Sequence, residues 1–250
     1  HLLVVASMLA GATAQTLATD PERSYRSATG LLNRGMNDLA AQEYRTFLEA
    51  NPNSPKAPQA RYGLAVCLVR LGKPAEALPH LDQIINVSNF EFAADALLLK
   101  AQCRMAAGDS SATITLLEQL LKAHPKFESI EAATALLGEA QYAAGQVTAA
   151  RTTLANALTR WPSSASAERV EYLLALCESA EGDREAAATR LARWREAHRE
   201  SPLLGHATLL EAQCRHRLGD ARTAQTLYAM AAEHAEGELE TEAVLGSAQL

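Results

Sequence analysis

The stretch NPNSPKAPQARYGLAVCLVRLGKPAEALPHL, residues 51–81, sets three prolines ahead of a run of small apolar residues and closes that run with a Leu-Gly-Lys-Pro turn. The stretch recurs. Sliding the chain against itself aligns Gly35, Gly72, Gly108, Gly145, Gly182 and Gly219, at spacings of 37, 36, 37, 37 and 37 residues. A period of this length is the mark of a repeat array, and it is read before any other feature. Seven residues before each glycine stands Ala28, Ala65, Ala101, Gly138, Ala175 or Ala212. Five after it stands Ala40, Ala77, Thr113, Ala150, Ala187 or Ala224, again small. Nine after it the residue is bulky: Tyr44, Leu81, Leu117, Leu154, Leu191 or Tyr228.

Small residues that let two helices approach, with large ones filling the space between them, describe a helical hairpin. The turn chemistry agrees. Gly-Asp at 108–109, 182–183 and 219–220 offers a glycine to end one helix in the left-handed conformation and an aspartate to cap the next. Lys73-Pro74 makes the same turn with a proline, which fits the first turn of a helix because the missing amide proton would go unbonded there. Pro52, Pro125 and Pro162, each seventeen residues after its glycine, mark where second helices stop.

These residues resemble the tetratricopeptide repeat (TPR) family, whose unit has small residues at its eighth and twentieth positions and a proline near its thirty-second. The resemblance covers residues 21–236. Gly138, Tyr142, Gly145, Ala150 and Pro162 come close to the family pattern, while the tryptophan often found early in the first helix is missing. The extra residues per unit fall after the proline, as in Pro52-Asn53-Ser54-Pro55, where a longer loop costs little. The resemblance implies an all-α solenoid of antiparallel helix pairs wound into a right-handed superhelix. Six units follow, at about 21–57, 58–93, 94–130, 131–167, 168–204 and 205–236. A generic helical hairpin of another solenoid type is the alternative.

Composition is compatible with such an array. The chain is 48% hydrophobic but only 5% aromatic, which suits a continuous core of Leu and Ala, and no segment alternates as a strand would. A formal charge of -6, with no clustered Lys or Arg, argues against nucleic acid as a partner. The charges are interspersed, as on solvated helix faces.

The two ends carry separate information. HLLVVASMLAGATAQT, residues 1–16, is an apolar run from Leu2 to Ala10 followed by Ala12-Thr13-Ala14. It reads as the apolar core and small-residue cleavage site of a secretory signal, residues 1–14, with a linker at 15–20. The run is too short to span a bilayer, so no membrane span is expected in the mature chain. An initiator methionine and a basic leader are missing, and an amphipathic first helix is the alternative. At the other end EAVLGSAQL repeats the pattern TLLEAQCRH and places Ala248 where Ala212 sits one unit earlier. Residues 237–250 are thus expected to be the first helix of a truncated seventh repeat, with the native protein continuing past Leu250. The alternative is that this helix caps the array.

Cys67, Cys103, Cys177 and Cys214 all lie five residues before a repeat glycine. Equivalent helices of successive units lie about 8–10 Å apart, beyond the roughly 4.4–6.8 Å between α-carbons that a disulfide tolerates. Four small buried thiols are therefore expected, with no metal and no cofactor. Known catalytic signatures are missing: there is no Gly-x-Ser-x-Gly, no His-Glu-x-x-His and no dinucleotide fingerprint, and Gly72-Lys73 lacks the rest of a phosphate loop. The histidines are scattered singly. Asn86-Val87-Ser88 fits a glycosylation acceptor, a short pattern of little specificity. The glutamates from Glu233 to Glu242 lack the Asp/Asn/Gly alternation of a calcium loop. No enzymatic activity is expected.

A binding surface remains. In TPR arrays the first helices line a concave groove, and the family register puts Tyr25, Tyr62, Leu98, Ala135, Tyr172 and Leu209 at the inward fifth positions. The ninth positions include Val66, Gln102, Glu139 and Gln213; the twelfth include Val69, Met105, Tyr142 and His216. Tyrosines rimmed by polar groups suit an extended or helical peptide, because the ring buries area at low entropic cost. The alternative is that several of them pack against the neighbouring unit. The lysine and asparagine of chaperone-binding TPR clamps are missing from these positions.

The phrase YRTFLEANPNSPKAPQARYGLA, residues 44–65, also resembles TPR units of Gram-negative envelope proteins of the outer-membrane-assembly and Tol-Pal-associated type. That implies a protein-interaction scaffold in the periplasm or secreted from the cell, with a protein or peptide partner. Two alternatives stand beside it: the recognition arm of a larger envelope enzyme or export machine, and a cytosolic TPR adaptor.

Overall fold

The computed structural model describes residues 21–233 and 237–249, and the expected signal segment and linker lie outside them. Thirteen helices and no strand are found among the described residues. The hairpins are α1 (Pro21–Asn33) with α2 (Asn37–Ala50), α3 (Ala57–Arg70) with α4 (Pro74–Asp82), and α5 (Ala93–Ala106) with α6 (Ser110–Ala123). They continue with α7 (Ile130–Ala143) and α8 (Val147–Arg160), α9 (Ala167–Ala180) and α10 (Arg184–Ala197), then α11 (Leu204–Arg217) and α12 (Ala221–Glu233). Helix α13 (Glu238–Ala248) packs on both α12 and α11, as the other first helices pack on their predecessors.

Each helix meets the next one in the chain. First helices also touch one another down the array, α1 on α3 through to α11 on α13, whereas no two second helices come together. Tighter spacing on one side bends the stack toward that side, so the first helices line the inside of the curve.

The turns form as their residues dictate. All six repeat glycines have φ between 72° and 90°, where an L side chain is strained. At the second turn the Gly72 amide donates to the Val69 carbonyl at 3.0 Å, and the Lys73 amide donates to Leu68 at 2.9 Å. That pair of bonds satisfies two carbonyls the helix end leaves over. The Asp109 carboxylate accepts from the Ala112 amide at 3.1 Å, and Asp183 and Asp220 repeat the cap with Ala186 and Thr223. Helix α4 is the shortest, carries Pro79 within it, and gives way to a loop in which Asn86, Val87 and Ser88 are exposed and Asn89 takes a positive φ of 57°.

The core runs the length of the stack. Leu81, Leu117, Leu154 and Leu191 are wholly buried, and Tyr44 and Tyr228 fill the same place in the first and sixth hairpins. Thr113 occupies a slot where alanine is usual, and its hydroxyl donates to the Asp109 carbonyl at 2.8 Å. The four cysteines are buried free thiols; burial pushes Cys67, Cys103 and Cys177 up to about 11 and raises Cys214, whose Sγ donates to Ser179 Oγ at 3.5 Å.

Candidate binding groove

An α-helix brings residues three and four apart onto one face, so the second, fifth, ninth and twelfth residues of each unit, all on its first helix, form one stripe. With the first helices inside the curve, these stripes lie side by side on the concave surface. Most residues expected there are half-buried: Tyr25, Tyr62, Val66, Val69, Met105, Glu139, Tyr142, Tyr172, Gln213 and His216. Gln102 is exposed. Leu98 is closed off at 9% exposure, and the equivalent Ala135 and Leu209 are closed off as well.

The tyrosines have two duties. Tyr62 stacks nearly parallel on Phe92, with ring centres 5.1 Å apart and planes 9° apart, and meets Phe90 edge-on at 6.4 Å. Tyr25 leans on Tyr44 and Phe47, and Tyr172 lies 6.3 Å from Trp194. One side of each ring therefore packs against the array, and the remainder faces the groove. Burial pushes the Tyr62 phenol up to about 12, helped by the nearby Asp95 carboxylate, and burial also raises Tyr142 and Tyr172. These contacts hold the three rings of Tyr25, Tyr62 and Tyr172 in place within the array.

Polar bonds tie neighbouring stripes together. Arg169, at a second position, donates through Nε to Glu139 Oε2 at 3.0 Å and through Nη2 to Oε1. Gln213 Nε2 donates to Glu242 Oε1 at 2.8 Å, the same ninth-to-second link two units on. Gln59 Nε2 donates to Glu91 Oε1 at 3.3 Å. At the far end Gln213, His216 and Arg217 join Tyr228, Glu242 and Leu245 around a cleft of about 360 Å³.

The register thus puts the expected residues on one face of each first helix, of which Leu98 is closed off rather than open, and it overlooks the second positions, Gln59, Asp95, Arg169 and Glu242. The signal was present, because each stands three residues before a fifth position and must share its face. Phe92 was out of reach, since it belongs to a loop whose path the period does not specify. Among the described residues no group of three or more His, Cys, Asp or Glu side chains is placed to hold a metal ion.

The family model of the tetratricopeptide repeat matches residues 25–94, 68–126 and 98–165. The chain belongs to the TPR family. No curated protein matches the sequence. Among solved structures, pilF of Pseudomonas aeruginosa is 16% identical and superposes with a TM-score of 0.68 over 92% of this chain and 97% of its own. A TPR protein from Parabacteroides merdae is 12% identical, with a TM-score of 0.64 over 90% of this chain and 98% of that one. MamA from Desulfovibrio magneticus is 20% identical, with a TM-score of 0.62 over 73% of this chain and 97% of its own. At such identities the likeness shows the TPR solenoid and nothing finer.

Proposed function

We propose that this TPR chain is a non-catalytic protein–protein interaction scaffold of the bacterial cell envelope, holding a peptide or protein segment in its concave groove. One observation carries the groove: the inward stripes present half-exposed aliphatic and aromatic side chains along the inside of the curve, flanked by polar groups. A concave, apolar, preformed surface with a few placed polar groups is what ligand sites share. The envelope location is supported by the apolar run at Leu2–Ala10 with its Ala12-Thr13-Ala14 site, and by the envelope-type phrase at residues 44–65.

A photo-crosslinking amino acid placed at Gln102, exposed on the inner stripe, is expected to capture a defined protein in cells. The same group at Gln119, exposed on α6, is expected to leave it free. Equal capture from both sites would overturn the groove reading. For location, the chain is expected in the periplasmic or secreted fraction with Gln15 as its first residue; a cytosolic chain retaining residues 1–14 would contradict it.

A further inference from the structure

One place in the core is filled in most hairpins and open in another. Twelve residues after the repeat glycines stand Phe47, Ile84, Leu120, Ala157, Trp194 and Ala231. Phe47, Ile84, Leu120 and Trp194 are wholly buried there. The fifth hairpin shows how an aromatic ring sits in this place. Trp194 donates through Nε1 to the Glu168 carbonyl, in the first turn of α9, at 2.9 Å, and its ring lies 4.9 Å from that of His198. In the fourth hairpin the same place holds only Ala157, and a cavity of about 270 Å³ opens beside it, with Leu121, Ile130 and Trp161 among its walls. An apolar cavity of about 150 Å³ is already enough to take a benzene ring. Ala231 is the counterpart in the sixth hairpin, but its neighbours at 234–236 lie outside the described residues.

The surroundings repeat those of Trp194. Trp161 stands where the fifth hairpin has His198, and Glu131, in the first turn of α7, stands where it has Glu168. A ring entering beside Ala157 therefore meets the Trp161 indole on one flank. By the same register, an N–H on that ring finds the Glu131 carbonyl as Trp194 finds that of Glu168. Asn156 and Arg160 also line the cavity and are exposed, and the Arg160 guanidinium lies over the Trp161 ring at 4.6 Å. A side-chain amide both donates and accepts, and a guanidinium donates, so these two can bond a main chain that passes over the opening. We propose that this cavity holds the tryptophan side chain of a partner protein, seated as Trp194 is seated within the chain itself. The site is separate from the concave groove: its walls come from the ends of α6 and α8 and the start of α7, and none of them belongs to the inward stripes.

The test is selection of a displayed random dodecapeptide library against the full chain, with the Ala157→Trp chain in excess in solution to absorb peptides that bind elsewhere, the groove included. The surviving peptides are expected to carry a tryptophan. As synthetic probes in anisotropy titrations they are expected to lose at least about tenfold in affinity when that tryptophan becomes alanine, and as much toward Ala157→Trp, whose own ring fills the cavity. Ala157→Leu, which repeats Leu120, is run alongside as a second blocking variant and is expected to weaken the same peptides. Circular dichroism melts check that both variants keep the fold. Survivors without tryptophan, no survivors, or tryptophan peptides that bind the parent and both folded variants equally would overturn the proposal.

Discussion

At the scale of single residues, a matched pair of sizes governs how one unit meets the next. A Cβ added to Gly63 would lie 2.4 Å from the Tyr44 ring, and one added to Gly246 would lie 2.4 Å from Tyr228. Both tyrosines stand nine residues after a repeat glycine. Where leucine takes that place, the partner is also leucine: Leu81 with Leu99, Leu117 with Leu136, Leu154 with Leu173 and Leu191 with Leu210, each pair within one core cluster. Gly63→Leu is expected to cost about 2–3 kcal/mol by overpacking. Tyr44→Leu in the same chain is expected to return most of that loss, as a double-mutant cycle in urea would measure. Buried titratable groups add a second expectation. The thiols of Cys67, Cys103 and Cys177 are pushed from 9.0 to about 11, and the Tyr44 and Tyr62 phenols from 10.0 to about 12. Because the folded chain holds these protons more tightly, their contribution is complete below pH 9 and is lost as pH rises through 11 to 12. The melting temperature is expected to fall steadily over that window, and a flat profile would contradict it.

At the scale of elements, buried ion pairs lock the fifth and sixth hairpins. Glu178 on α9 is 4% exposed and accepts from Arg190 on α10 through Nη2 at 2.7 Å and Nε at 3.0 Å. Glu211 on α11 is 2% exposed and accepts from Arg195 Nε at 2.7 Å, so α10 is tied to the helix on either side of it. Such pairs hold geometry more than they add net stability, because desolvation offsets the attraction. Removing one partner is different. Arg190→Ala leaves the Glu178 carboxylate buried without a counter-charge and is expected to cost about 3 kcal/mol, whereas Glu178→Gln/Arg190→Met is expected to cost less than half of that. Equal losses from the single and double variants, measured by urea unfolding, would show that the pair does not hold α9 to α10.

At the scale of the whole molecule, contacts reach only neighbouring hairpins, so stability is close to a sum of local terms along one dimension. A lesion in one unit is therefore expected to stay near it. Gly145 ends α7 with φ 76°, and valine there is expected to cost about 1–2 kcal/mol in backbone strain. Hydrogen exchange is expected to speed up in α7, α8 and the helices packed on them, with α1, α2 and α12 unchanged. Uniform loss of protection along the chain would point to a single cooperative unit instead.

How the sequence and the tertiary structure divide the account follows from the range of the forces involved. Helix ends are local, and glycines that must take positive φ, capping aspartates and first-turn prolines mark them in the chain itself. The small and large residues placed seven before and nine after each glycine determine the hairpin, because a helix repeats every 3.6 residues and puts them on facing sides. The sequence alone therefore determined an all-α TPR array, and it put the inward residues on one face of each first helix. It did not determine which of them stay open. Leu98 and Leu209 carry the same register number as Tyr62, yet the neighbouring unit covers them, since exposure depends on what packs alongside. The stacking of Phe92 on Tyr62, the Gln59–Glu91 bond and the Arg169–Glu139 bond join residues about thirty apart in the chain. Only the superhelical stacking of one unit on the next brings such residues together, and that stacking is settled by packing across the whole interface between units.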